Sequence, residues 1–247
     1  VISVTLAVAG TRRGTLMMKS LAVRDIASGP LDIQVVDGFL ARPTAVRRRA
    51  LTSPFSPDGG GYPGERAPCD LPENEILLPV ERLLGRRLDR SSVRLAFSRV
   101  TRCGADLTPH QRMPHADGCD VAGVVYLNPP GQCRGGTGFY RHRPSGLSAL
   151  PAEIGPAVVE VMRRQGLWTP GQLAAWITAP PADGRRGFIT GSTAEWELTA
   201  LVPMRFNRLV LYDGRRFHSG YLEDGWFGDT PAHRRLTLNL FADFAAE

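Results

Sequence analysis

Lysine is almost missing from this chain of 247 residues: Lys19 stands alone, and arginine supplies the rest of the 30 basic residues. Cysteine is scarce as well. Cys69, Cys103, Cys119 and Cys133 lie 34, 16 and 14 residues apart, with no Cys-x-x-Cys pair. That spacing is poor for a structural zinc site and too sparse for a disulfide scaffold, so reduced thiols in a cytoplasmic protein are expected. No apolar run is long enough to cross a membrane. Residues 1–10 are apolar, but the charged pair Arg12-Arg13 follows them, which is the wrong order for a secretory signal. Residues 1–20 therefore read as a dispensable leader, with Met17-Met18 as an internal start. The net charge of +6 raises the question of nucleic acid. The arginines are scattered, and no basic tract alternates with exposed aromatics as a strand-binding groove would need, so nucleic acid is not an expected partner.

What is present describes one folded domain over residues 1–247, with 43% hydrophobic and 22% charged residues. Residues 21–26 and 31–36 read as strands joined by Ala-Ser-Gly-Pro, and Pro43 opens a helix running to Leu51. The glycine- and proline-rich residues 55–68 read as a long loop with a binding or lid role. Ile76, Leu77, Val80, Leu83 and Leu84 recur at helical spacing, which predicts an amphipathic helix over 73–88. From Val93 the pattern turns to strands: 93–100, 121–127, 133–140, 196–201, 208–212 and 234–241. Helices are expected at 154–165 and 170–177, and Asp213-Gly214 is a hairpin signal. Helices first and many strands later predict a mainly β fold with flanking helices, a β-sandwich or jelly roll whose core spans 93–241.

The chemistry gathers around Pro114-His115-Ala116-Asp117. On an extended strand His115 and Asp117 leave the same face. A second imidazole from a later strand, His218, would complete two histidines and one carboxylate on one side of a metal, an arrangement that leaves coordination positions open. In Arg235-Leu236-Thr237 the arginine and threonine share a strand face while Arg234 points away. A buried guanidinium is costly unless paired, so an inward Arg235 implies a bound anion or a carboxylate side chain.

Read together, His115-Ala116-Asp117, Tyr126-Leu127-Asn128, Gly135-Gly136, His218 and Arg235-Leu236-Thr237 resemble the Fe(II)/2-oxoglutarate-dependent oxygenases, in their prolyl-hydroxylase-like branch, here a bacterial subgroup. The resemblance covers residues 112–241. It implies a double-stranded β-helix (jelly roll), iron held by His115, Asp117 and His218, and the distal carboxylate of 2-oxoglutarate held by Arg235 with Thr237 and Tyr126. The activity implied is oxidative decarboxylation of 2-oxoglutarate to succinate and CO2, coupled through dioxygen to hydroxylation of a substrate. The 17 residues from His218 to Arg235 exceed the shortest pattern of the branch, and strand alternation favours Arg235 over Arg234.

The substrate expected is small and carboxylated, a free amino acid of specialised metabolism. Arg112, Tyr62, Asn207, Arg208 and Trp226 are candidates for its pocket, because they sit in loops or strands beside the metal motif. Arg112, three residues before His115, could grip a carboxylate. The alternatives are a peptidyl or prolyl hydroxylase and a non-redox, cupin-like metal-binding protein. Oligomeric state is not legible.

Overall fold

The computed structural model describes residues 4–7, 18–21, 32–180, 184 and 186–246. In chain order its elements are β1 (Val4–Ala7), β2 (Met18–Leu21), β3 (Gln34–Asp37), α1 (Pro43–Thr52), β4 (Ser56–Pro57), β5 (Gly64–Pro68), α2 (Glu73–Leu84) and β6 (Arg94–Val100). They continue with β7 (Val121–Tyr126), β8 (Gly136–His142), α3 (Pro156–Arg164), α4 (Pro170–Ile177), β9 (Trp196–Pro203), β10 (Arg208–Tyr212), β11 (His218–Tyr221) and β12 (Leu236–Ala242). The strands form a seven-stranded sheet ordered β3-β10-β7-β12-β6-β5-β4 and a five-stranded sheet ordered β11-β8-β9-β1-β2. From β6 onward the chain crosses back and forth between the two sheets, which is the winding of a jelly roll.

Both faces of the large sheet are covered, which explains its uninterrupted apolar strands. Outward, Val125, Leu211, Leu236, Leu238 and Leu240 pack under α1 and α2. Inward, Ala122, Val124, Tyr126 and Val210 meet Phe139, Ala200 and Val202 of the small sheet. The apolar stripe of α2, Ile76, Leu77, Val80 and Leu84, is buried. Each such side chain contributes about 1.5–3 kcal/mol. On the far side of the small sheet, α3 and α4 cover Tyr140, Trp196 and Phe217 with Met162, Leu173 and Ile177. Among the described residues no helix is long and apolar enough to cross a membrane.

Three expectations change. The helix at 73–88 stops at Leu84, because Gly85 adopts a left-handed conformation (φ 65°) that closes it. Residues 55–68 are only partly a loop: β4 and β5 form a hairpin around the tip 58–63, and it pairs with β6 and extends the large sheet. Asp213-Gly214 makes no hairpin, since β10 is already flanked by β3 and β7 and the chain crosses to β8 in the other sheet. The strand expected at 21–26, with its turn, falls mostly outside the described residues.

Candidate metal and anion site

The two histidines meet through the backbone. His115 donates its N–H to the His218 carbonyl and His218 returns the bond, both at 2.9 Å, as in a hydrogen-bonded antiparallel pair. That pairing sets the two imidazoles side by side, with ring centroids 4.4 Å apart. Asp117 is held two residues on by its N–H to Gly214 O at 2.7 Å. Its carboxylate oxygens then lie 3.8 Å from His115 Nε2 and 3.3 Å from His218 Nε2. One ligand atom from each of the three residues lies within 4.8 Å of the others.

The protonation pattern decides what this cluster can do. His218 Nδ1 is 2.9 Å from Arg216 O, and a carbonyl only accepts, so Nδ1 carries the proton. Burial disfavours a charged His218, but Asp117 beside it outweighs burial and raises its pKa, so Nε2 shares a proton with Asp117 until a cation displaces it. His115 also bonds a backbone carbonyl, that of Met113; its side chain is half exposed, and partial desolvation at the cavity mouth followed by the neighbouring His218 pushes its pKa down to about 4. Burial works against ionised Asp117, but the two imidazoles outweigh it and hold its pKa below the usual carboxylate value. With that proton displaced the three residues converge on one point as acceptors, and the buried Oδ2 of Asp117 has no aligned hydrogen-bond partner, His218 Nε2 lying 3.3 Å away. Such a donor set fits a divalent cation, with each imidazole oriented by a bond from its other nitrogen.

The cluster opens into a cavity of about 390 Å³. This lies in the range of small-molecule sites. Its far wall is the inner face of β12. Leu236, Leu238 and Leu240 face the helices, so Arg235, Thr237, Asn239 and Phe241 face inward, with Arg235, Asn239 and Phe241 on the cavity wall. Asn128 fixes that register: its amide donates to Arg234 O at 2.8 Å, and its Oδ1 accepts from Leu236 N at 2.7 Å. Arg235 is buried, lies 5.5 Å over the Tyr126 ring, and makes no ion pair among the described residues. Its Nε has no hydrogen-bond partner. Arg234 instead turns to Asp229.

The two hydroxyls expected beside Arg235 are already engaged. Tyr126 shares a 2.7 Å bond with Thr137 Oγ1, and Thr237 donates to Asn239 Oδ1 at 2.6 Å. Tyr62 has the hydroxyl to spare. It is buried against Arg235 and Thr237 without an aligned partner. Burial raises its pKa, and the nearby guanidiniums only moderate the rise.

Of the five residues expected at the substrate, Tyr62 alone lines the cavity. Arg112 reaches Ala105 O and Leu107 O and braces its own loop. Arg208 forks onto Asp37 at 2.7 and 3.0 Å. Trp226 stacks on Tyr221. Asn207, at a positive φ of 61°, accepts from Leu40 N at 2.8 Å and donates to Leu40 O at 2.9 Å. Asn207→Ala should destabilise the fold by about 2–4 kcal/mol, from two orphaned buried backbone groups and a strained residue. Urea unfolding checks it, and a loss under about 0.5 kcal/mol would mean water replaces both bonds.

Residues not anticipated at the cavity include Arg66, Gln111, Thr137, Phe188, Tyr212 and Leu222. Tyr212 packs its ring 4.7 Å from that of His218. A second concavity, about 490 Å³ between α1 and the start of α2, is an open groove whose Arg42 and Arg49 pair with Glu75 and Asp70. It gathers no comparable chemistry.

Two structures stand among the solved ones that are similar to the chain. One is the non-haem α-ketoglutarate-dependent carbocyclase SnoK from nogalamycin biosynthesis, with a TM-score of 0.41 and 14% identity over 86% of this chain and 80% of that one. The other is the epimerase SnoN from the same biosynthesis, described in the same terms, with a TM-score of 0.41 and 17% identity over 86% and 79%. At that level of superposition the likeness adds nothing to the site's own geometry. No curated protein matches the chain. The model of a family of unknown function, DUF6445, matches residues 19–242, and the chain belongs to that family.

Proposed function

We propose that the protein is an Fe(II)- and 2-oxoglutarate-dependent hydroxylase of a small carboxylated substrate. One observation carries the reading: a triad of two imidazoles and a carboxylate shares one cavity with a buried arginine that has no counter-ion among the described residues. The first calls for a cation and the second for an anion. A 2-oxo diacid answers both, since one end chelates a metal while the other meets a guanidinium fork.

His115, Asp117 and His218 would hold the ion, and iron(II) bound there supplies the oxygen-activating chemistry. The three residues take part of its coordination sphere and leave the rest to small ligands. Arg235 grips the distal carboxylate bidentately, and the Tyr62 hydroxyl adds a third bond. Phe188, Leu222, Val100 and Phe241 form apolar wall that keeps water from the reacting face.

The decisive experiment is succinate formation from 2-oxoglutarate with Fe(II), in air and anaerobically, for the native chain and His115→Ala. Oxygen-dependent turnover in the native protein alone is expected, even if uncoupled and slow. A metal-loaded protein that fails to bind 2-oxoglutarate would sink the oxygenase reading and leave a metal-binding protein without redox function.

A further inference from the structure

Arg66 is the second arginine of the cavity, and it comes from the hairpin that extends the large sheet. Pairing in β5, β6, β12 and β7 aligns Arg66, Ser98, Thr237 and Tyr126 in one row across four strands. Strand alternation sends its neighbour Glu65 to the opposite face, where it pairs with Arg99. Arg66 therefore turns inward, its guanidinium 5.0 Å from the Tyr62 ring and 5.8 Å from the Phe241 ring. It lines the same cavity as the triad and Arg235.

Its pairing is incomplete. Asp58 Oδ1 lies 3.3 Å from Arg66 Nε, but the buried Nε makes no proper hydrogen bond. The other Asp58 oxygen is committed to the hairpin tip, accepting from Tyr62 N at 2.9 Å and Gly60 N at 3.2 Å. With a divalent ion and a dianionic 2-oxoglutarate in place, Arg66 and Arg235 against Asp117 and Asp58 leave the site neutral, so what Arg66 offers is a misaligned, incompletely paired fork rather than surplus charge.

We infer that Arg66 anchors the substrate, and that the substrate is a monocarboxylate whose apolar body lies along Phe241, Phe188 and Leu222. This rests on the co-substrate reading, because Arg235 must be spent on 2-oxoglutarate for Arg66 to be left over. A planar fork at Arg66 matches a carboxylate in two bonds. A phosphate dianion would bring more negative charge than Arg66, already beside Asp58, can offset.

The test is calorimetric titration of the Mn(II)-loaded protein, saturated with 2-oxoglutarate, with a panel of free amino acids and small aliphatic and aromatic monocarboxylates. Carboxamides and phosphate monoesters of matching shape serve as comparisons. At least one carboxylate should bind, with its carboxamide and its phosphate analogue weaker by about tenfold or more. Arg66→Gln should lose the carboxylate to a similar degree while holding 2-oxoglutarate within about twofold of native, and Arg66→Lys should recover part of it. Retained 2-oxoglutarate affinity shows that the variant is folded. Three results would overturn the proposal: equal binding of acid and amide, loss of 2-oxoglutarate instead of the acid in Arg66→Gln, or no binder to the native complex. Absence of any 2-oxoglutarate heat in the native protein is a different failure. It ends the co-substrate reading, whereas Arg66-dependent carboxylate binding to the metal-only protein would survive it.

Discussion

Asp117→Ala should leave the protein folded and abolish its response to divalent metal. The native chain should melt higher by about 5–10 °C with anaerobic Fe(II) or Mn(II) at a hundredfold excess over the dissociation constant. That range follows from roughly 2.7 kcal/mol of linkage in a domain of this size. In Asp117→Ala the shift should vanish. The reason is electrostatic: Asp117 is the one anion of the triad, and its carboxylate lies 3.8 and 3.3 Å from the two imidazole Nε2 atoms. Two neutral donors remain in the variant, and nothing offsets the desolvation of the ion. Removing one partner from a buried charged contact costs about 3–5 kcal/mol, or two to four powers of ten in affinity. Asp117→Asn keeps an oxygen acceptor without the charge and should fall between the two. A melting shift in Asp117→Ala equal to the native one would mean that the ion binds elsewhere, and the triad reading would fail.

The parts of the site that follow strand alternation were legible in the sequence. His115 and Asp117 sit two apart, and Arg235 and Thr237 sit two apart, so each pair shares a face whatever the register. The alternation through β12, with leucines to the helices and Asn239 and Phe241 to the cavity beside the preceding Arg235, is a local signal too. What depends on pairing over long separations was not legible. Arg66 enters the cavity because β5 adds to β6, and the glycines and prolines around it read as loop rather than strand. Asn207 and Arg208 looked available because their partners, Leu40 and Asp37, lie 167 and 171 residues away in sequence. Tyr126 stands inside the motif, whereas Tyr62 comes from the hairpin far upstream of it, and no local pattern says that its hydroxyl lies buried beside Arg235 without an aligned partner. The jelly roll followed from the succession of strands, but the crossing at Asp213-Gly214 did not, since a turn sequence does not say which sheet its second strand joins.

Arg235→Met should cost nothing in stability and most of the affinity for 2-oxoglutarate. A guanidinium this deeply buried with no counter-ion among the described residues carries an unrepaid desolvation cost of several kcal/mol. The Tyr126 face, 5.5 Å away, returns about 0.5–2 kcal/mol of it. Methionine fills similar length without charge, so the ligand-free variant should unfold at the same urea concentration as the native chain, or a higher one. The carboxylate of a bound 2-oxoglutarate would then be buried with one partner gone. That loss is about 2–5 kcal/mol, or roughly thirty- to several-thousand-fold in the dissociation constant. Metal binding without 2-oxoglutarate should stay native, since Arg235 is not one of the three converging ligand residues. Arg235→Lys keeps the charge but not the fork, and should recover only part of the affinity. The two measurements separate the roles of the arginine. Lower urea stability with unchanged 2-oxoglutarate affinity would make Arg235 a structural residue and leave the cavity without its anion anchor. Unchanged or raised stability with lost affinity is what an arginine kept for a ligand must show.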